Sequence, residues 1–170
     1  FGLGPDALCP AYGLAEAVLA VTMHKGPPSS LKVERESLQP GTRVVRAADD
    51  DDEFIEVVRV GTPLPGLTVR AGAQAGEVGE IVVRGTSVGD GYQGNPERWA
   101  EFATGDLGFV WDGALYVCGR QKETFEVHGQ TFHAHDIERV AQEVPGVRAA
   151  ALGLGEQRVL FVVPAAEAKG

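Results

Sequence analysis

The chain has 170 residues, with 15 lysines and arginines against 24 acidic residues, a formal net charge of −9. Hydrophobic residues make up 44% and charged residues 23%, which excludes a disordered tail, and the acidic balance argues against a nucleic-acid-binding surface. No stretch approaches the roughly 18 uncharged apolar residues that cross a bilayer, so no membrane span is expected, and without a signal peptide or targeting motif the expected location is cytoplasmic.

Taken along the chain, residues 1–21 carry Gly2, Gly4, Pro5 and Pro10 and then the apolar run Leu14 to Val21. His24 to Ser30 has loop composition. Val33 to Leu38 alternates weakly, and Gly41 to Val45 is a second short strand candidate. Asp49 to Glu53 is a run of like charges that repel one another, read as a solvated loop; the spaced ligands and central glycine of a calcium loop are missing.

Residues 54–118 read as β-rich. Glu56–Val60, Leu67–Ala71, Gly79–Arg84, Leu107–Trp111 and Leu115–Cys118 are strand candidates, each bounded by Gly, Pro or Asp. Asp112-Gly113 is a tight hairpin signal. The 23 glycines are dispersed rather than periodic, as many turns between short strands require. A small barrel or sandwich follows.

After Gly119 the period changes. Ile137, Val140, Ala141 and Val144 recur at i, i+3, i+4 and i+7, which predicts an amphipathic helix over His135–Val144. Pro145-Gly146 stops it. Ala149–Leu154 and Arg158–Val163 are two more strands. Cys9 and Cys118 show neither a CxxC nor a metal spacing and are expected to be reduced, buried thiols. His133 and His135 would need further ligands to hold a metal, and none is evident; solvated or capping histidines are expected.

Three clusters carry possible chemistry: Tyr12-Gly13-Leu14-Ala15-Glu16, then Thr104-Gly105-Asp106-Leu107-Gly108, with Asp106 90 residues beyond Glu16, then Gly119-Arg120-Gln121-Lys122-Glu123. Between them lie Gly79 to Gly85, Gly91-Tyr92 and Asn95-Pro96-Glu97. A phenol ring is a flat platform for a purine. A glycine beside it lets backbone approach a ligand. One carboxylate suits Mg²⁺, another accepts from two vicinal hydroxyls, and a guanidinium matches phosphate oxygens. Taken singly, Tyr12 reads as a core aromatic, Asp106 as a turn residue, Glu16 as a surface carboxylate, and Arg120 and Lys122 as a solvated turn.

In this order the clusters resemble the adenylate-forming superfamily, and the wording Tyr-Gly-Leu-Ala-Glu-Ala resembles its fatty acyl-AMP ligases. The resemblance covers nearly the whole chain. It implies an α+β fold: a β-rich, barrel-like part of a large AMP-binding domain over residues 1–119, a hinge at 120–123, and the beginning of a small C-terminal domain over 124–170. It implies that Tyr12 stacks on adenine, that Gly13 and Asp106 help bind the nucleotide with Asp106 on the ribose hydroxyls, that Glu16 acts catalytically as a Mg²⁺ ligand, that Arg120 contacts ribose and phosphate, and that Lys122 and Glu123 form the hinge. ATP, AMP and Mg²⁺ are the implied cofactors. The implied reaction joins a fatty acid to AMP and passes the acyl group to the phosphopantetheine arm of an acyl carrier protein.

Residues 22–54, with Lys32 to Leu38 and Gly41, resemble an insertion that restrains the small domain in those ligases. Its apolar residues Val33, Leu38, Val44, Val45 and Phe54 then have two possible destinations, the small domain or the β-rich core. Gly129 to Glu138 also resembles a family motif, with Gln130, Thr131 and Ala134 in place of Arg, Asn and Pro, and Glu123 in place of the usual hinge Asp. The serine/threonine/glycine-rich phosphate loop and the C-terminal lysine of the family are not in the sequence, so a piece of a longer polypeptide is expected, inactive by itself. An acyl-CoA synthetase is the alternative enzyme, separated by whether 22–54 is an insertion. A non-catalytic adenylation-like binding module is the alternative of another class.

Overall fold

The computed structural model describes residues 2, 4–48, 54–95, 97–127, 130–154 and 158–164, in two compact units, Phe1–Cys118 and Gly119–Gly170. The acidic run Asp49 to Glu53 lies outside the described residues. Among the described residues no helix is long and apolar enough to cross a membrane.

The first unit is built on strands: β1 (Ala11–Tyr12), β2 (Thr22–Met23), β3 (Ser30–Glu34), β4 (Phe54–Pro63), β5 (Leu67–Ala71), β6 (Gly79–Gly85), β7 (Phe102–Trp111) and β8 (Ala114–Arg120). They form one curled sheet in the order β1-β2-β4-β8-β7-β6-β5, with β3 paired to β4. The β7–β8 hairpin turns on Asp112 and Gly113, both at positive φ (48° and 72°), as the two central residues of a type I′ turn require.

Side chains alternate across a strand, and here both faces of the sheet are covered. On β8, Ala114, Tyr116 and Cys118 join one core with Phe109, Val57 and Val78. Leu115 joins the other with Ile81, Val83, Val21 and Tyr12. Burial pushes the Cys118 thiol up to about 12, so this cysteine is inert. Cys9 is exposed rather than buried, because residues 4–10 run without strand pairing.

The segment 22–54 completes the first of these cores. Of the five apolar residues with two possible destinations, Val33, Leu38 and Val44 are buried in it together with Leu31, whereas Phe54 is half-buried and Val45 is 46% exposed. Among the described residues of this segment Ser30–Glu34 is a strand and Arg35–Leu38 a 3-10 turn. Gly41 to Val45 is not a strand. Its main chain is tied by single bonds, Gly41 N–H to Val78 O at 2.8 Å and Val44 N–H to Gly76 O at 2.8 Å, with one isolated bridge from Arg43 to Glu77. An irregular stretch held that way buries Val44 on the core and leaves Val45 outside it.

The second unit opens with a 3-10 turn, Gln121–Glu123, followed by β9 (Thr124–Val127) paired with β10 (Gln130–His133), helix α1 (Ala134–Gln142), and the antiparallel pair β11 (Val147–Leu154) and β12 (Arg158–Pro164). The helix and last two strands lie where the periodicity predicts them; β9 and β10 were not expected. The helix packs on β11, and Glu138 Oε1 accepts the Leu152 N–H at 2.8 Å. His133 is neither solvated nor capping: it precedes the helix, is 6% exposed and makes no side-chain cap bond. Its ring lies where a Cβ on Gly119 would fall, 2.5 Å from Nδ1. Strands with one α-helix among the described residues give an α+β fold.

Candidate functional site

The first motif begins on β1 and turns at once. A Cβ on Gly13 would sit 1.6 Å from the carbonyl oxygen of Leu19, so only glycine fits beneath the loop that follows. That loop is closed by Leu19 N–H to Leu14 O at 3.0 Å and Val21 N–H to Tyr12 O at 2.9 Å. At its crown Val18 and Leu19 hold φ of 60° and 104° and are each 77% exposed. A β-branched residue in the left-handed region is a true outlier, and such strain costs about 1–3 kcal/mol and concentrates at ligand sites.

The second motif lies at a bulge. Glu80 pairs with Leu107 and Val82 with Ala103, so Ile81 on β6 faces three residues, Thr104, Gly105 and Asp106, on β7. Bulges beside functional sites re-aim side chains. This one is pinned: Thr104 Oγ donates to Ile81 O at 2.9 Å and accepts the Asp106 N–H at 3.1 Å, and Glu80 Oε1 accepts the Gly105 N–H at 2.9 Å. The sequence placed these residues before a strand that starts at Leu107. They are instead inside a longer one.

The bulge brings two motifs together. Tyr12 Oη donates to Asp106 Oδ2 at 2.7 Å across 94 positions of sequence, and both residues are 9% exposed. The Tyr12 ring is packed among core side chains.

Glu16 sits on the 3-10 turn Ala15–Ala17, half-buried. Its carboxylate accepts the Tyr92 hydroxyl at 2.6 Å, and its main-chain oxygen accepts the Gly89 N–H at 2.8 Å. The Tyr92 bond holds the Glu16 carboxyl below its ordinary value and raises the Tyr92 phenol. Trp99 meets the Tyr92 ring edge-on at 4.8 Å. Ala15, Glu16, Val18, Gly89, Tyr92 and Trp99 are among the walls of a cavity of about 330 Å³, within the ~300–1,000 Å³ range of small-molecule sites. Arg120, Lys122 and Glu123 are exposed and belong to the second unit, Arg120 at the end of β8 and the others in the 3-10 turn.

Sequence reasoning missed Tyr92, Glu80 and Thr104. Gly91-Tyr92 and Gly79–Gly85 stood out between the motifs, but the partners lie 76 positions from Glu16 and 25 from Gly105, too far for a local pattern to reveal. The Tyr92 bond makes a prediction. Replacing Tyr92 by phenylalanine should move the Glu16 pKa up toward its ordinary value, followed by NMR titration of its carboxyl carbon. A depressed folded-state pKa supplies stability that is present above the unfolded value and lost as pH falls through the folded one. The variant should therefore show a flatter acid limb between those values. An unmoved Glu16 titration would remove the bond from the solution structure.

These curled strands, the bulged carboxylate joined to a buried tyrosine and the carboxylate loop at a cavity occur in a chain whose relatives and structural neighbours are adenylate-forming proteins. Its homologues are fatty acyl-AMP ligases and 4-hydroxyphenylalkanoate adenylyltransferases. The chain is 34% identical to the 4-hydroxyphenylalkanoate adenylyltransferase of Mycobacterium marinum, over 95% of this chain and 31% of that protein. It is 31% identical to the long-chain-fatty-acid–AMP ligase FadD26 of Mycobacterium tuberculosis, over 91% of this chain and 31% of that protein. A solved structure from a study of fatty acyl-adenylate ligases of E. coli and L. pneumophila superposes with a TM-score of 0.84 at 26% identity, over 95% of this chain and 32% of that one. No family model matches. The chain spans about a third of the length of these relatives.

Proposed function

We propose that the polypeptide carrying this chain activates a fatty or related carboxylic acid with ATP, forming acyl-adenylate and pyrophosphate, and hands the acyl group to a carrier-protein phosphopantetheine. The observation that carries this reading is the Tyr12–Asp106 hydrogen bond, which unites the first two motifs at one buried polar point beside the Glu16 loop.

In the reaction a carboxylate oxygen attacks the α-phosphorus, the bond from that phosphorus to the bridging oxygen breaks, and pyrophosphate leaves. The chain's part is positioning. The Tyr12 hydroxyl fixes the rotation of the Asp106 carboxylate, and a carboxylate so fixed accepts from vicinal ribose hydroxyls. Tyr12 and Gly13 fall on the adenine side of the site by the resemblance of their motif, with Gly13 letting the 14–21 loop fold tightly over it. Arg120 supplies a fork for phosphate oxygens, with Lys122 and Glu123 as the hinge beside it.

Glu16 fits a Mg²⁺ ligand. The Tyr92 hydroxyl favours its ionised form, which puts one anionic oxygen donor on the wall of the cavity. That is the donor set Mg²⁺ accepts, one or two carboxylates completed by water and substrate phosphates. When bound, the ion would neutralise phosphate charge.

The test is fatty-acid-dependent exchange of pyrophosphate into ATP by that polypeptide, followed by a comparison of acyl transfer to a phosphopantetheinylated carrier protein and to free CoA. Exchange with a fatty acid and transfer to the carrier protein are expected. Absence of exchange with every carboxylic acid would overturn the reading, and transfer to CoA alone would overturn its acceptor.

A further inference from the structure

A second, smaller cavity of about 170 Å³ lies between β2 and β4. Its walls are Met23, His24 and Lys25, following from β2, and Arg59, Gly61 and Thr62 of β4. Three of these six carry a basic side chain and none is acidic, in a chain of net charge −9. Among the described residues neither Lys25 nor Arg59 makes an ion pair.

The Nε–H of Arg59 is buried and has no hydrogen-bond acceptor. Leaving a buried donor unmet is costly, more so when it is charged, and such groups in native proteins are met by water, ions or ligands. The cavity walls are themselves well fixed. The β4–β8 register shifts between Arg59 and Gly61, and a Cβ on Gly61 would fall 2.0 Å from the Met23 carbonyl carbon, so β4 and β2 meet there as bare backbone. His24 is 9% exposed and its Nε2 lies 2.8 Å from Pro27 O. The His24 carbonyl in turn accepts the Cys9 thiol at 2.6 Å.

We propose that this cavity binds a phosphoryl group, with the Arg59 guanidinium on two of its oxygens and the Lys25 ammonium as the second positive charge. A guanidinium fork with an adjacent ammonium suits a doubly charged, many-oxygened anion better than a carboxylate. The cavity is smaller than the ~300–1,000 Å³ sites that enclose whole small molecules. It therefore takes the phosphoryl group alone, free or at the end of an ester whose remainder lies outside. Tyr12, Gly13, Glu16 and Asp106 do not line it, so the proposal stands apart from the nucleotide reading.

The experiment is calorimetric titration of the chain at low ionic strength with inorganic phosphate, acetate, AMP and phosphopantetheine, repeated with Lys25→Ala and Arg59→Gln. Lys25 is exposed, so its variant keeps the fold. Phosphate should bind and acetate should not. Lys25→Ala should weaken phosphate about tenfold, or 1.4 kcal/mol, and Arg59→Gln should abolish it. Tighter, Lys25-dependent binding of AMP or of phosphopantetheine than of phosphate supports the site and assigns the ester; equal binding supports it for free phosphate. No binding of any phosphate, acetate binding as tightly as phosphate, or an affinity unchanged by Lys25→Ala would each overturn the proposal.

Discussion

Replacing Phe109 by alanine should destabilise the first unit by about 3–5 kcal/mol, the largest single effect expected in this chain. Phe109 is 0% exposed on β7, and its ring stacks on Tyr116 with centroids 5.0 Å apart and planes 1° from parallel. Its removal leaves a cavity that the paired strands on either side cannot close. Domains of this kind carry only about 5–15 kcal/mol in all, so the loss is a large share of the total and should read directly in the urea midpoint. The same core predicts that Leu38→Ala, in the irregular 22–54 segment, costs about 2–5 kcal/mol. Val45→Ala, from the same segment but exposed, should stay within about 0.5 kcal/mol. Equal, small effects at Leu38 and Val45 would show that this segment does not belong to the sheet's core.

What was legible in the sequence divides along physical lines. Strands bounded by Gly, Pro or Asp were readable because turn chemistry is local: the Asp112-Gly113 hairpin and β5 appear where the residues place them. The α1 helix was readable from its period. Gly41 to Val45 is no strand because scattered single bonds hold its backbone in place of a continuous ladder, although Val44 is buried and Val45 exposed as in an alternating strand. β7 was read too short because its first half contains Thr104-Gly105-Asp106, a turn-like composition that here serves a bulge. β9 and β10 gave no alternation strong enough to see.

The site divides in the same way. Taken singly, Tyr12, Glu16 and Asp106 read as core, surface and turn residues, and it is the resemblance carried by the three clusters in their order that singles them out. Nothing local indicated that the Tyr12 hydroxyl would bond Asp106, or that Tyr92 would hold Glu16. Those pairings are made by strand order, which sets β1 and β7 into one sheet from distant parts of the chain. Cys9 shows the limit from the other side: a residue type that is usually buried is exposed here, because its segment pairs with no strand.

The pairing of Tyr12 with Asp106 leads to a second strong prediction, for nucleotide binding by the polypeptide that carries the chain. Asp106→Ala removes a charged acceptor, and each hydrogen bond lost to it should cost about 1.5–3 kcal/mol, more than tenfold in Kd for ATP. Tyr12→Phe keeps the ring that packs in the core and deletes only the hydroxyl on Oδ2. If that hydroxyl works by aiming the carboxylate, its loss matters only while the carboxylate is present. The double variant should then bind ATP no more weakly than Asp106→Ala alone, and the double-mutant cycle should show a coupling of about 0.5–3 kcal/mol, the range for residues in contact. A merely structural role for Tyr12 predicts something different: a fall in stability that leaves the Kd of the folded protein untouched. Additive losses in Kd, or an ATP affinity indifferent to Asp106→Ala, would take the pair out of the nucleotide site and leave it as one more buried hydrogen bond of the sheet.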